Sequence, residues 1–110
     1  MISGSCLQRR WLHSQEEDTG EIRVYRSSSI PLPPTRAPRH VLEFANEERV
    51  ISRVGGPADS RVAREGRWDV VQPEPLILRL TWDDLSGSSL EVIECSDTVL
   101  QIRILTGSID

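Results

Sequence analysis

Large apolar residues alternate with polar ones along most of this chain. The clearest run covers residues 76–82, in which every second residue is a large apolar one: Leu76, Leu78, Leu80 and Trp82. Successive side chains of a β-strand point to opposite faces of the sheet, so this pattern predicts a strand with one buried face. An amphipathic helix would repeat at three and four residues instead, and no segment keeps that spacing over the length of a helix. The sequence therefore predicts an all-β protein.

Shorter alternating runs predict further strands, and turn residues separate them. The runs cover residues 11–17, 21–26, 40–45, 49–54, 67–70, 89–95 and 99–105. In the run at 89–95 the alternation slips at Val92-Ile93, which indicates a β-bulge or a strand that is covered on both faces. The connections are short and polar, Asp83–Gly87 being typical, and this favours antiparallel pairing of sequential strands in a meander. About eight short strands fit a small antiparallel up-and-down barrel, which leaves no exposed sheet edge.

A proline-rich stretch from Ser27 to Arg39 interrupts the meander. Its four prolines donate no backbone hydrogen bond and hold the residues before them in extended conformations. We predict a rigid loop there, the proline loop, that crosses an open end of the barrel. With 110 residues, of which 37% are hydrophobic, the chain has the size and composition of a single folded domain covering residues 1–110.

Charge is distributed unevenly along the chain. The net charge is −4, which gives no general reason to expect a nucleic-acid partner. There is no lysine, and residues 23–67 are net basic whereas residues 68–110 are net acidic. Guanidinium groups match carboxylates and phosphates, so the basic part is able to present a face to an anionic ligand. The alternatives are a solvated charged face and an arginine-rich genomic composition.

The cysteines and the hydropathy of the chain bear on its compartment. Residues 1–14 lack the apolar core of a signal peptide, and no stretch approaches the length of a membrane span. We therefore predict a cytoplasmic protein with no membrane partner, in which Cys6 and Cys95 are both reduced; a disulfide between them is the alternative. The two cysteines and two histidines lack the spacing of a zinc site, so the sequence predicts no metal and no cofactor.

A glycine-x-tryptophan motif, Gly66-Arg67-Trp68, is followed by strands at 76–82, 90–95 and 99–105. This order resembles the C-terminal half of short bacterial lipocalin-like (calycin) domains. The opening segment, residues 11–18 followed by Val24-Tyr25-Arg26, is similar to bacterial proteins of comparable length that carry no established activity. The resemblance implies a lipocalin-like barrel. In lipocalins the motif lies on the first strand, whereas here it lies in mid-chain.

The candidate binding residues cluster around the first predicted hairpin, which joins the strands at 11–17 and 21–26. They are Trp11, His13, Glu16, Glu17, Arg23, Tyr25 and Arg26. The arginines would anchor a charged ligand, and Tyr25 would supply an aromatic contact with a hydroxyl group. The alternative is a solvated hairpin tip that carries cross-strand ion pairs.

The two histidines need separate interpretations. His13 shares a strand face with Trp11, so it is either a general base that faces a pocket or a partly buried ring with its nitrogens hydrogen-bonded. His40 follows the proline loop and is predicted at the surface. The sequence has no phosphate-binding glycine loop and no nucleophile elbow, so we assign no catalytic residue.

Two functions from different classes fit these residues. The first is a barrel that binds a small molecule, in particular an anion, between the first hairpin and the proline loop. The second is a protein-interaction or structural module that forms a homodimer or binds a partner through a sheet edge or the proline loop. An enzyme comes third. The barrel interior separates the first two, because ligand pockets enclose ~300–1,000 Å³ and a core packed solid favours the interaction module.

Overall fold

Eight antiparallel strands close into a barrel, which confirms the predicted small antiparallel barrel of about eight strands. The computed structural model describes residues 4–33, 39–45, 48–55 and 61–109. The strands are β1 Arg10–His13, β2 Ile22–Ser27, β3 Val41–Phe44, β4 Arg49–Gly55, β5 Arg61–Pro73, β6 Leu76–Trp82, β7 Gly87–Cys95 and β8 Val99–Thr106. These bounds lie close to the predicted ones, except that β1 is shorter and β5 is longer.

β1 is shorter than the predicted strand at 11–17 because the chain leaves the sheet after His13. The Ser14 amide still donates to the Val24 carbonyl, at 2.8 Å, and a 3-10 turn then covers Gln15–Glu17. The two glutamates of this turn reach arginines on other parts of the chain. These ion pairs stabilise the turn over a continued strand.

The strand order departs from a simple meander at one step. From β3 to β8 each strand pairs with the next, but β1 lies between β2 and β3, and β8 closes the barrel against β2. A short turn forces its two strands to pair, whereas the long proline loop is able to cross over β1. The loop begins where the Ser28 amide donates to Arg10 and ends where the His40 carbonyl accepts from His13. Its residues 34–38 lie outside the described residues.

Inward-facing side chains fill the barrel. The buried apolar cluster consists of Leu7, Trp11, Tyr25, Leu42, Phe44, Val50, Trp68, Leu76, Leu78, Leu80, Trp82, Leu90, Val92, Leu100, Ile102 and Ile109. The residues predicted to point inward, Trp68, Leu78, Leu80 and Ile102, are at most 5% exposed, so the predicted strand register is confirmed. An eight-stranded barrel has an interior just wide enough for side chains to fill, and this one is filled in that way.

Two local features of the sheet agree with signals in the sequence. The register of β7 against β8 shifts between Val92 and Glu94, which is the β-bulge and not the second alternative, a strand covered on both faces. Gly66 of the glycine-x-tryptophan motif lies where β5 packs closely on β6. A Cβ atom there would collide with the main chain of Thr81 and lie 2.8 Å from Cα of Trp82, so this position requires glycine.

The chain itself covers both ends of the barrel. At one end a one-turn helix, α1 (Gly4–Leu7), places Leu7 in the core, and the Trp11 indole donates to the Leu7 carbonyl at 3.2 Å. At the other end residues 107–109 follow β8 and place Ile109 in the same core, fully buried. Within the described ranges, no helix has the length and hydropathy to cross a bilayer.

A disulfide joins Cys6 of α1 to Cys95 at the end of β7, with their Cα atoms 6.3 Å apart. The prediction that both thiols are reduced is therefore wrong for this structure. The two residues are 89 positions apart in sequence and meet because α1 covers the barrel end at which β7 stops. Spacing along the sequence does not reveal such a contact. The bond fixes α1 covalently to the barrel.

Leu78→Ala should lower the free energy of unfolding by ~2–5 kcal/mol, because it removes a fully buried side chain from a filled core. Arg79→Ala is the control, since Arg79 lies on the outer face of the same strand and its side chain is 61% exposed. An exposed ion pair contributes little to stability, so this variant should lose much less. Denaturant midpoints measure both variants, and equal losses would contradict the register.

Thiol counting under denaturing, non-reducing conditions should find no free thiol. The double variant Cys6→Ser/Cys95→Ser should unfold with a free energy lower by ~2–5 kcal/mol, because the bond no longer restricts the unfolded chain. The double variant is the suitable comparison because it leaves no single thiol to react. Two free thiols in the native protein would refute the disulfide.

Candidate functional site

The predicted binding residues divide between the inside and the outside of the barrel. Trp11 and Tyr25 are fully buried in the core. His13 pairs with Tyr25 across β1 and β2, and Arg23 pairs with the buried Ile102 across β2 and β8, so both half-buried side chains share the inward face. The surroundings of these four residues are therefore the barrel interior and its end, and not a solvated hairpin tip.

Glu17 and Arg26 lie outside the barrel and form an ion pair. Arg26 donates from Nε and Nη2 to the two carboxylate oxygens of Glu17, both at 2.8 Å. Two parallel bonds of this kind fix both side chains. The guanidinium predicted to anchor a ligand is thus already engaged by a carboxylate of the same chain.

Glu16 forms a matching pair with Arg39, which ends the proline loop. Arg39 donates to the two carboxylate oxygens at 2.8 and 2.9 Å, and also to the carbonyls of His13 at 2.9 Å and Pro33 at 2.7 Å. It therefore ties the loop to the 3-10 turn. Arg39 was not among the predicted binding residues, because its partner lies 23 positions away, across the loop.

These bonds hold both glutamates in the ionised form. The side-chain hydrogen bonds from Arg39 lower the pKa of Glu16 from 4.5 to about 2. Those from Arg26 lower the pKa of Glu17 in the same direction. Both carboxylates are charged at neutral pH and each faces an arginine, so neither is suited to act as a general acid.

A chain of hydrogen bonds crosses the barrel end that residues 107–109 cover. The Tyr25 hydroxyl lies 2.9 Å from Nδ1 of His40, and Nε2 of His40 lies 2.6 Å from the Ser52 hydroxyl. The Ser52 hydroxyl donates to the Ile109 carbonyl. His40 is 8% exposed, so the prediction that it lies at the surface is wrong. Its ring enters the barrel end because Tyr25 and Ser52 bind its two nitrogens.

The direction of this chain of bonds decides its chemistry. Because the Ser52 hydroxyl gives its proton to a carbonyl, it accepts from Nε2–H of His40, while Nδ1 of the same ring is hydrogen-bonded with the Tyr25 hydroxyl. A serine nucleophile requires the reverse, a hydroxyl that donates to the histidine. Ser52 is therefore arranged to bind the main chain of residues 107–109 and not to attack a substrate.

His13 lies beside this chain and stacks on Tyr25, with ring centroids 4.9 Å apart. Its Nε2 lies 2.8 and 3.1 Å from the carboxylate oxygens of Asp18, which also accepts from the Val24 amide at 2.9 Å. The carboxylate therefore orients the imidazole, as in the second interpretation of His13 given earlier. With 15% of its side chain exposed, the ring reaches solvent at this end of the barrel.

Barrel side chains also bind the main chain of residue 108. The Ser88 hydroxyl donates to the Ser108 carbonyl at 2.6 Å, and Arg64 donates to the same carbonyl at 3.2 Å. Ser88 in turn accepts from the Trp82 indole at 3.0 Å. The sheet thus contributes polar groups to an end that is otherwise closed by apolar side chains.

The serines of this end were not among the predicted binding residues, although the sequence carries a signal for them. Ser52 lies in phase with Val50, and Ser88 lies in phase with Leu90, so alternation assigns both serines to the inward face. A small polar residue at a core position must find a hydrogen-bond partner inside the fold. Such positions therefore point to a buried polar contact.

An open depression of about 420 Å³ crosses the outer faces of β5 to β8. Its lining residues are Val71, Ile77, Arg79, Gly87, Ser88, Ser89 and Thr106. Val71 is 57% exposed, which is high for a large apolar side chain. Among the described residues, no group of three or more histidines, cysteines, aspartates and glutamates is placed to hold a metal ion.

Glu16 should keep its charge far into the acid range. Its folded-state pKa of about 2 lies below 4.5, so the pair with Arg39 contributes stability above pH 4.5 and loses it as the pH falls through about 2. NMR titration of the side-chain carboxyl carbon measures this pKa. Arg39→Gln should return it towards 4.5, whereas Arg10→Gln on β1 should not change it. A wild-type value near 4.5 would show that the ion pair is absent in solution.

The chain matches no protein-family model, no curated protein and no solved structure at a level that marks a relative. The closed barrel is compatible with the lipocalin-like architecture that the sequence resembles. Barrel shape alone does not assign a function, because one fold hosts many activities.

Proposed function

We propose that this protein is a protein-interaction or structural module and not a carrier of a ligand inside its barrel. The observation that carries the proposal is the filled interior. Large side chains such as Trp11, Leu80 and Trp82 are at most 1% exposed and occupy the space that an enclosed ligand would need. A ligand pocket encloses ~300–1,000 Å³, and an eight-stranded barrel is too narrow to hold both these side chains and a ligand. A module with a solid core acts through its surface.

A small-molecule site between the first hairpin and the proline loop is the second candidate. It is favoured by His13, whose ring reaches solvent at that place. Against it, the predicted anchor Arg26 already binds both carboxylate oxygens of Glu17. An anionic ligand would have to replace a bidentate ion pair, which reduces the net gain from binding.

The surface that we assign to the interaction is the outer face of β5 to β8. The exposed Val71 lies in the depression there. Two ion pairs lie on the same strands, Arg79–Asp69 at 2.7 Å and Arg103–Glu91 at 2.8 Å. A surface that combines an apolar centre with both signs of charge is complementary to itself across a two-fold axis. The partner that we propose is therefore a second copy of this chain.

The finer assignments from the sequence stay predictions. The lipocalin-like relationship and the bacterial source rest on sequence resemblance. The cytoplasmic location has an observation against it, because the Cys6–Cys95 disulfide is of the kind that persists in oxidising compartments. A compartment outside the reducing cytoplasm fits this bond better.

Native mass spectrometry over a concentration series should show a dimer of the wild-type protein. Val71→Asp should shift the distribution to monomer, because it places a charge in the centre of the proposed interface. Thr19→Asp is the matched control, since it adds the same charge at an exposed position before β2, outside β5 to β8 and outside the depression.

Two results would contradict the outer-face dimer, and a third would support the small-molecule site. A wild-type protein that stays monomeric at every concentration, or a Val71→Asp variant that still dimerises, would overturn the outer-face interface. A small molecule that remains bound in the spectrum, and is lost in Arg26→Ala, would support the second candidate in place of the first.

A further inference from the structure

Residues 107–109 are bound in the way that a separate peptide would be. Ser52, Arg64 and Ser88 donate hydrogen bonds from their side chains, and the acceptors are the main-chain carbonyls of Ser108 and Ile109. Every peptide carries such carbonyls, so these bonds recognise a backbone and not a particular side chain. We call the three donor side chains the socket.

Two positions of the bound segment add selectivity. The Ile109 side chain is fully buried in the apolar core, so the barrel end accepts a branched aliphatic group. Gly107 has a φ angle of +72°, and a Cβ atom there would lie 2.5 Å from the Gly87 carbonyl oxygen and 2.8 Å from the Ser88 hydroxyl. Glycine is required at that position. Ser108 is exposed between them, so the pattern that fits is glycine, any residue, then a branched aliphatic residue.

The barrel, and not the segment, holds the donors of the socket in place. The Arg64 guanidinium lies 4.4 Å from the centre of the Trp82 ring, and the Ser88 hydroxyl accepts from the Trp82 indole at 3.0 Å. The Ser52 hydroxyl accepts from His40 at 2.6 Å. Donors that are already oriented bind a peptide at a low entropic cost. The socket therefore keeps its shape when the segment leaves.

The two covers of the barrel differ in how they are attached. α1 is joined to the end of β7 by the Cys6–Cys95 disulfide. Residues 107–109 are held by hydrogen bonds and by the burial of Ile109. Such contacts exchange for the same contacts made by another chain, whereas a disulfide does not exchange in this way. The end covered by residues 107–109 is thus the one that is able to open.

We propose that the socket is a peptide-recognition site, closed in cis by residues 107–109, and that it binds in trans a partner-protein segment of the pattern glycine, any residue, branched aliphatic residue. The proposal rests on the proposed interaction function, and the socket adjoins the outer face of β5 to β8 at Ser88, which also lines the depression. Residues 107–109 compete with the partner segment for the socket at a high effective concentration, because they belong to the same chain. The partner therefore binds when residues 107–109 are released from the socket. Residues 107–109 act as both a model of the ligand and its inhibitor.

The test uses the full chain and a fluorescein-labelled peptide with the sequence of residues 105–110. Gly107→Ala weakens the cis segment by steric collision, and Ile109→Asp weakens it by placing a charge in the core. Gly20→Ala is the matched control, because Gly20 has a φ of +58° but nothing within 4 Å of its Cβ position. Fluorescence anisotropy should show that both weakened variants bind the peptide about tenfold or more tightly than the wild type and the control.

A second peptide that carries Ile109→Asp should bind none of these proteins, and Ser52→Ala added to the Ile109→Asp protein should weaken binding of the first peptide. Thermal melts report whether each variant folds. The proposal is overturned if folded variants bind no peptide, if both peptides bind equally, or if neither weakened variant folds, since the segment is then a fixed part of the core. Native mass spectra of the same samples distinguish the two proposals. A protein that is monomeric but binds the peptide would overturn the outer-face dimer and leave the socket proposal standing.

Discussion

The structure depends on filling and covering a narrow closed barrel. Eight strands enclose a space just wide enough for inward side chains, and leucine and tryptophan residues occupy most of it. Strands this short leave the core exposed at both ends unless other parts of the chain cover it. Leu7 of α1 closes one end and Ile109 closes the other, and both are fully buried. Because each cover consists of a few residues, its attachment decides whether that end stays closed.

Strict alternation made the barrel predictable wherever a strand lies between solvent and core. It identified inward residues such as Leu78 and the bulge after Val92. Successive side chains of a strand point to opposite faces of the sheet, and one of these faces is buried. Alternation carries no information on which strands are neighbours when the connection is long. For that reason it did not place β2 beside β8, and it did not bring Cys6 to Cys95.

The candidate site was less predictable, because it is built from contacts between residues distant in sequence. His40 lies in phase with the inward Leu42 and Phe44, so alternation pointed to its buried ring although it was predicted at the surface. Arg39 lies outside the strands, where alternation carries no information, so its bonds to the 3-10 turn could not be inferred. The segment 107–109 is too short to show any period. What the sequence did contain was Ser52 and Ser88 at inward positions, where an unbonded hydroxyl would cost free energy. Both hydroxyls bind the main chain of that segment.

The disulfide also determines how the molecule responds to a mechanical pull. Cys6 and Cys95 enclose β1 to β7 in a covalent ring, whereas β8 lies outside the ring although it sits between β2 and β7 in the barrel. A force that drags on the chain beyond residue 106 strips β8 from its two neighbours and then stops at Cys95. An unfoldase that pulls a single chain through its pore would have to pass two chain segments side by side at the Cys6–Cys95 disulfide. Most of the barrel therefore resists threading, and β8 is the strand that yields to it.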